Sequence, residues 1–543
     1  MKFLKKVLTP VIAVLLVFAM TFSAFASIGA EVNARDLFVA SKAERIFFDA
    51  LDVAANALIK AIASFIPTPK YWFDKEDVPG FMEGTAEFLD KAQAGTTWSL
   101  GYDSRSLLPE NKEDVIGKYY VAGSIGIDGK LATSVEDDLL VRTVALNDST
   151  GRGTAVFTAL DSYGLSLADV REIRTRLADW SKENGINSIT VSVLHQHSAI
   201  DTFGMNGDIF RMVFLNPART FFGIETENGK NDEYMENLFN KTVDSIKAAF
   251  ADMTEGDLFY GTADAVKYIY DKRQPYVNDP NFNRFRFVPD DGSEETWIVT
   301  SQIHCVGNGA SGTLVTGDYP YYAEQEINAH GANVLFVMGA EQCNSHEKDQ
   351  TTVIDYTPNE VGIENTVGYG KSIARDLIAI TEETEVTPLL NIRYKETLVP
   401  LTNSILMLAG KASLFENIIR IQKTDYFILT EIGYMEMGDN LAFAIIPGEI
   451  APELAYGGCL GADYSWSGED WQYPSMQEIV TASGSDRDLH VLGLANDQIG
   501  YIVPDNDYMS MLHEDSKSIE FVSLGKNTAS HIITTFEDVV NNK

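Results

Sequence analysis

The sequence predicts an α/β fold in which mixed β-sheets are flanked by helices. From about residue 117 onward, strand-like apolar runs alternate with amphipathic helical segments. Two strand–helix–strand units stand out, and no Pro- or Ser-rich linker interrupts the alternation. We therefore expect one large domain over residues 91–543, preceded by an N-terminal helical extension at residues 27–90.

Residues 1–26 have the pattern of a secretory signal peptide. Three lysines precede an apolar stretch that ends in the small-residue cleavage pattern A-F-A at positions 24–26. The apolar stretch is short for a bilayer span, and no later segment is apolar enough to serve as an anchor. The sequence therefore predicts a secreted protein, cleaved after Ala26, with no stable membrane anchor.

The helical extension is predicted from apolar residues at mostly helical spacing. These residues are Leu37, Ile46, Leu51, Ala55, Leu58 and Ile62. Pro67 and Pro69 are expected to end the helix. A role at a membrane surface is disfavoured, because the polar face of this helix is not basic.

Two units of the main domain define the α/β alternation. The first consists of strands at 139–146 and 154–160, a helix at 167–183 and a strand at 188–195. Ser166 and Asp169 have the spacing of an N-terminal capping pair for that helix. Gly185 can adopt the left-handed backbone conformation that commonly ends a helix. The second unit runs from a strand near Trp297 through a helix starting near Asp318 to a strand at 333–337.

Charge and cysteine content exclude some classes of protein. A formal net charge of −36 opposes binding to nucleic acids and to anionic membrane surfaces. Cys305, Cys343 and Cys459 are too few for a disulfide framework, although a single bridge from Cys305 to Cys343 is compatible with the count. The sequence gives no prediction of oligomeric state.

Two of the eight histidines lie one residue apart in the stretch VSVLHQHSAIDTFG. If the strand continues through them, His195 and His197 lie on the same face, an arrangement that often binds metals. The alternative is a pair of polar residues at a strand end, bonded to backbone or water.

Other candidate site residues follow apolar strands. They are His304 in IHCVGNG, Glu449 in IIPGE and Tyr501 in GLANDQIGYIVP. Each has a structural alternative: a buried histidine with a backbone partner, a carboxylate at a helix N-terminus, and a buried aromatic with a bonded hydroxyl.

Together these motifs resemble the neutral/alkaline ceramidase family of zinc amidohydrolases. LHQHSAIDTFG is similar to the family's H-x-H-S-x-P signature, IHCVGNGASGTLVTGD to its second histidine segment, IIPGE to its P-G-E motif, and GLANDQIGYIVP to its tyrosine loop. The motifs occur in the family's order between about residue 117 and the C-terminus.

The resemblance implies a Zn²⁺ ion held by four side chains. These are His195, His304, Glu449 and Tyr501. It also implies that His197 contacts the substrate and that Arg273 lies near the reacting carbonyl, although a surface or ion-paired role for Arg273 is the alternative. The expected activity is hydrolysis of the amide bond of a ceramide-like N-acyl lipid, or a related N-acyl compound, by metal-activated water.

One loop departs from the family pattern. Alignment on Phe336 of FVMGAEQCNSHEKD places Gly339 where the family carries a serine, and Cys343 and Ser345 follow out of register. Two alternatives follow: a metal-stabilised binding protein without turnover, and a cysteine nucleophile at Cys343 with His346 as its base. We favour hydrolysis by water, for which the serine is not essential. The stretch HSAID also lacks the family's proline, which makes ceramide itself a doubtful substrate.

Overall fold

The computed structural model describes residues 41–69, 78–123, 129–309, 312–346, 362–513 and 519–542. Its strands are β1 Trp98–Ser106, β2 Ser134–Val135, β3 Leu140–Asn147, β4 Thr154–Leu160, β5 Ile186–Val193, β6 Thr254–Asp264, β7 Ile269–Asp271, β8 Asn281–Pro289, β9 Glu295–Ser301, β10 Leu314–Val315, β11 Ala332–Met338, β12 Asn344–His346, β13 Thr384–Val386, β14 Leu390–Pro400, β15 Ile419–Gln422, β16 Asp425–Met437, β17 Leu441–Ile445, β18 Glu449–Ile450, β19 Asp488–Leu492 and β20 Tyr501–Ile502. Its helices are α1 Lys42–Ala63, α2 Leu167–Arg176, α3 Ala178–Glu183, α4 Ile209–Phe222, α5 Asp232–Ala251, α6 Asp318–His330, α7 Ile363–Ile378, α8 Ser404–Lys411, α9 Pro452–Tyr456, α10 Met476–Ala482 and α11 Thr528–Asn541.

A nine-stranded sheet forms the larger of two main sheets. Its strands follow the order β11-β9-β8-β6-β1-β3-β4-β5, and β13 pairs with β6. The β9–β11 and β4–β5 pairs are parallel, whereas pairs such as β1–β3 and β6–β8 are antiparallel. Strand β11 also contacts β3, β4 and β5, so the two ends of the sheet come together. The predicted fold class, mixed sheets flanked by helices in one large domain, is confirmed.

The second main sheet has five strands, ordered β14-β16-β17-β19 with β15 paired to β16. The segment after β19 ties this sheet to the first. Gly493 N donates to Met338 O at the end of β11 (2.8 Å), and Val193 N at the end of β5 donates to Leu494 O (3.3 Å). Ala495 N donates to Ile446 O, just beyond β17 (3.0 Å). Three strand ends are thereby held around one short segment, and the loops that follow them build the candidate site.

The helix signals in the first unit are confirmed at its beginning and end. Ser166 and Asp169 form a reciprocal capping box, and Gly185 has the left-handed φ of 65°. The helix predicted over 167–183 is divided, however, because Leu177 N donates to Arg174 O in a tighter turn between α2 and α3. The second unit agrees with the sequence, with α6 beginning at Asp318 and β11 following it.

The strand predicted over 188–195 ends earlier than expected. Its partner β4 ends at Leu160, which pairs with Val193, so there is no strand for β5 to pair with beyond that point. His195 then has a φ of 54°, in the left-handed region. The two histidines therefore do not lie on one strand face, and a turn brings them together instead.

The predicted N-terminal extension, residues 27–90, is helical over α1, whereas its described residues 78–90 contain no helix and form a bridge from Gly84 to Arg393 on β14. The start of α1 is capped by Ser41 with Glu44, and its end packs against α8, where Lys411 Nζ donates to Ala63 O (2.9 Å). The predicted signal peptide and the first residues of the extension lie outside the described residues. Within the described chain, no helix combines the length and apolar character needed to cross a bilayer.

All three cysteines are free thiols. Cys305 and Cys343 are buried but unbridged, so the disulfide that the sequence left open between them is absent.

Candidate metal centre

His195 is positioned by a strained turn after β5. Its Nδ1 donates to the carbonyl oxygen of Tyr163 (2.7 Å), and its ring stacks on the Tyr163 ring with centroids 4.5 Å apart. A positive φ at a residue other than glycine costs about 1–3 kcal/mol and is concentrated at functional sites. The surrounding bonds hold this residue, which is 1% exposed, with its Nε2 free to bind a ligand.

Gln196 anchors the turn between the two histidines. Its Nε2 donates to Asp161 Oδ1 (2.8 Å) and to Gly317 O (3.0 Å). Asp161 in turn accepts from Arg142 Nη1 (2.8 Å), and all three of these side chains are buried. The side chain between the histidines is thereby held away from the two rings.

His197 and His304 are oriented in the same way as His195. Nδ1 of His197 donates to Gly123 O (2.6 Å), and Nδ1 of His304 donates to Asn344 O (3.0 Å). A backbone acceptor at Nδ1 fixes the tautomer that leaves Nε2 available for a metal. Each of the three histidines offers one nitrogen within 4.8 Å of the others, and His197 Nε2 has no partner among the described residues.

Glu449 completes the cluster from the short strand β18, which follows β17 of the second sheet. Its Oε2 lies 2.9 Å from His304 Nε2 and 3.5 Å from His195 Nε2. These separations are close to the distance of about 3.3 Å expected between two ligands of a tetrahedral zinc ion. Glu449 precedes α9 on the short strand β18, so it is not the helix N-terminal carboxylate that the sequence allowed as an alternative.

Tyr501 reaches the cluster because β18 pairs with β20. Glu449 and Tyr501 are direct partners in this parallel pair, and the Tyr501 hydroxyl is near enough to the Glu449 carboxylate to lower its pKa. The Tyr501 and His304 ring centroids are 6.5 Å apart. The structure thus brings together all four predicted metal ligands and His197.

Glu341 also belongs to this cluster, and the sequence interpretation missed it. Its carboxylate lies within 4.8 Å of the ligand atoms of His304 and Glu449, and the residue is 0% exposed. The missed signal was its position: Glu341 follows the buried strand β11 by three residues, much as Glu449 follows β17 by four.

The histidines differ in their affinity for protons. Burial lowers the pKa of His195, with partial opposition from Glu449, and lowers the pKa of His197 well below its usual value. Burial also opposes protonation of His304, but the carboxylates of Glu341 and Glu449 outweigh it and raise the pKa of this ring. At neutral pH, His195 and His197 are therefore neutral.

The two carboxylates differ as well. Burial favours the neutral form of Glu449, yet the neighbouring imidazoles and the Tyr501 hydroxyl together lower its pKa. Burial raises the pKa of Glu341 above its usual value, and Glu449 adds to this shift. Glu449 is the carboxylate that is ready to bind a cation.

Arg273 lies in a buried ion-pair network. Its Nη1 binds Glu453 Oε1 and its Nη2 binds Asp507 Oδ2, each at 2.5 Å, and its exposed fraction is 4%. A surface role is therefore excluded, and the ion-paired alternative is observed. The predicted contact of Arg273 with a substrate carbonyl stays a prediction.

Within the loop after β11, Glu341 and Asn344 approach His304. A Cβ atom added at Gly339 would have Gln302 and Ser301 as its nearest neighbours, at 3.5 Å or more, so the backbone leaves room for a side chain at this position.

Burial raises the pKa of the Cys343 thiol well above its usual value, which disfavours the proposed cysteine nucleophile. Ser345 is buried on β12, directly after the residue whose carbonyl accepts from His304.

A largely apolar pocket opens beside Glu449 and Tyr501. Its apolar walls include Phe203, Met205, Leu406, Phe415, Ile428, Ile499, Val522 and Leu524. Its polar lining residues include Tyr163, whose ring stacks on His195, and Gln498, whose Nε2 donates to Glu449 Oε1 (3.2 Å). The donor set of imidazole nitrogens, carboxylate and phenol oxygen fits zinc.

Comparisons with known proteins find similarity in structure. No family model and no curated protein matches the sequence. The neutral ceramidase from Pseudomonas aeruginosa superposes with a TM-score of 0.60 at 14% identity, covering 82% of this chain and 74% of that one. A ceramidase complexed with C2 gives a TM-score of 0.59 at 14% identity, covering 82% and 75%. The chain therefore has a ceramidase-like fold, as the motif resemblance predicts.

Proposed function

We propose that this protein is an exported, zinc-dependent hydrolase that cleaves the amide bond of an N-acyl lipid or a related N-acyl compound. The observation that carries the proposal is the convergence of His195, His304 and Glu449, with Tyr501 paired to Glu449 across β18 and β20 and each imidazole fixed through Nδ1. Export is inferred from the sequence of residues 1–26.

A bound zinc ion supplies a Lewis acid that polarises a carbonyl and lowers the pKa of water to about 7. We assign its binding to His195, His304, Glu449 and Tyr501. The neutral His195 imidazole and the ionised Glu449 carboxylate are in the forms that the ion requires, whereas His304 must release a proton to bind it.

His197 is assigned to proton transfer. Because its Nδ1–H is committed to Gly123 O, its Nε2 carries a lone pair, and this atom has no partner among the described residues. Nε2 can accept a proton from the attacking water and return it to the nitrogen of the leaving amine.

The apolar pocket is assigned to a hydrocarbon chain of the substrate. Its walls offer no charge to a polar acyl group, whereas Glu449 and Tyr501 lie at the end where the amide would be placed. Burial of each methylene contributes about 0.8 kcal/mol, so the pocket favours N-acyl compounds with an apolar chain.

Arg273 is assigned a positioning role. Both of its terminal nitrogens bind carboxylates, and the partner Glu453 lies on α9, shortly after the ligand Glu449. The ion pairs hold the segment after Glu449 in place without requiring contact between Arg273 and the substrate.

The test is turnover of a panel of N-acyl amides and esters of increasing chain length by zinc-loaded protein, with His195→Ala as the matched control. We expect amide cleavage by the wild type that increases with the length of the apolar chain and is absent in the control. Equal rates in both proteins would contradict the site assignment.

A second candidate is a metal-stabilised binding protein of the same fold. Gly339 at the aligned position of the family serine is the observation that favours it. Tight binding of N-acyl amides without turnover of any member of the panel would support this candidate over the hydrolase.

A further inference from the structure

Glu341 is a buried carboxylate without a hydrogen-bond partner. Its exposed fraction is 0%, and neither of its oxygens has a partner among the described residues. An isolated buried carboxylate is costly, and such groups are normally paired with a cation or bound to a metal. The ionised form of Glu341 therefore needs a cation beyond the described side chains.

His304 does not fill this need. The shortest separation between the two side chains is 3.9 Å, from Glu341 Oε2 to His304 Nδ1, which is too long for a hydrogen bond. That Nδ1 already donates to Asn344 O at 3.0 Å. His304 Nε2, the other ring nitrogen, faces Glu449 at 2.9 Å.

The geometry of the cluster places Glu341 within reach of a shared ion. Ligand atoms of His304, Glu341 and Glu449 all lie within 4.8 Å of one another. Ligand atoms that share one zinc ion are about 3.3 Å apart, so the Glu341 carboxylate would have to move toward the other two groups to bind it. No hydrogen bond among the described residues restrains the Glu341 carboxylate against such a movement.

Charge balance points the same way. A divalent ion with two neutral imidazoles, one carboxylate and a neutral phenol leaves one positive charge in a buried site. A second carboxylate neutralises it, and buried charges are tolerated best when they are compensated.

We propose that Glu341 is an additional carboxylate ligand of the metal centre. This inference rests on the proposed function, because it concerns the same zinc ion. It goes beyond the set of four ligands implied by the motif resemblance, and it gives the loop after β11 a direct role at the metal.

The test uses the full chain with Glu341→Gln, an isosteric change that keeps the volume of the side chain. Zinc affinity is measured by competition with a chelator, ligand geometry by the visible absorption of the cobalt-substituted protein, and folding by the thermal transition of the metal-free protein. We expect zinc affinity to fall about 10–100-fold, the cobalt spectrum to change, and the metal-free variant to unfold at the same or a higher temperature than wild type.

Glu431→Gln is the matched control. Glu431 is also a buried glutamate, but its carboxylate binds Arg171 on α2. This control should show the opposite pattern, with lower stability of the metal-free protein and unchanged zinc affinity.

An unchanged zinc affinity and cobalt spectrum in Glu341→Gln, with zinc binding lost in His304→Ala, would overturn the role of Glu341 and leave the proposed function intact. Unchanged zinc binding in both variants would overturn the proposed metal centre as well as this inference.

Discussion

Replacement of Arg273 by methionine tests whether this residue acts through its ion pairs. The guanidinium joins Glu453 on α9 and Asp507, and the side chains of all three residues are at most 3% exposed. Methionine fills similar space but leaves two buried carboxylates without a cation. Removal of one partner from a buried pair costs about 3–5 kcal/mol, so we expect Arg273→Met to lose about this much free energy of unfolding.

The assay is chemical denaturation at neutral pH, with amide turnover measured at a temperature where the variant is folded. Arg171→Met is the matched control, because Arg171 also binds two carboxylates, Glu396 and Glu431, none of which belongs to the metal cluster. The positioning role predicts that Arg273→Met loses stability and keeps turnover within about tenfold of the control. A stability loss below about 1 kcal/mol together with a turnover loss above about a hundredfold would refute this reasoning and support direct contact with the substrate.

Three further predictions concern the site itself. His197→Ala should retain zinc by metal analysis while turnover falls by about a hundredfold or more, the usual effect of losing a general acid or base; loss of zinc would instead make His197 a ligand. Zinc affinity should increase as the pH rises above the ordinary histidine pKa of about 6.5, with proton release detectable by calorimetry in two buffers, because His304 has a raised pKa in the metal-free site and must lose its proton to bind. A pH-independent affinity would contradict that protonation state. Gly339→Ser should fold normally and change turnover by only a few fold, since an added Cβ meets no atom closer than 3.5 Å; amide cleavage gained only in this variant would show that a serine is essential.

Local signals in the sequence predicted the parts of the fold that depend on neighbouring residues. The Ser166 capping box, the left-handed Gly185 and the α6–β11 unit each rest on contacts within a few positions. The histidine motifs were also visible, because strand ends followed by polar residues are a local pattern. Because the motifs resemble those of the ceramidase family in sequence and order, we expected His195, His304 and Glu449 to lie close together. The structure places these three side chains in one buried cluster.

The remaining features depend on contacts between distant segments. The turn at His195 arises because β4 ends at Leu160, and the burial of Glu341 arises because the ends of β5 and β11 meet around residues 493–495. Neither the turn at His195 nor the burial of Glu341 can be predicted from the spacing of apolar residues along the sequence. The ion pairs of Arg273 likewise join residues separated by 180 and 234 positions, so the sequence could only leave an ion-paired role open.

Zinc stoichiometry tests the central claim most directly. Wild-type protein and His304→Ala are each equilibrated with zinc, passed through a desalting column and analysed for metal, with circular dichroism to confirm that both are folded. The proposed centre predicts about one zinc per wild-type chain and a large loss of zinc from the variant, because His304 is a ligand whose Nε2 faces Glu449. A folded wild-type protein that retains no zinc, or a variant that retains as much zinc as the wild type, would contradict the account.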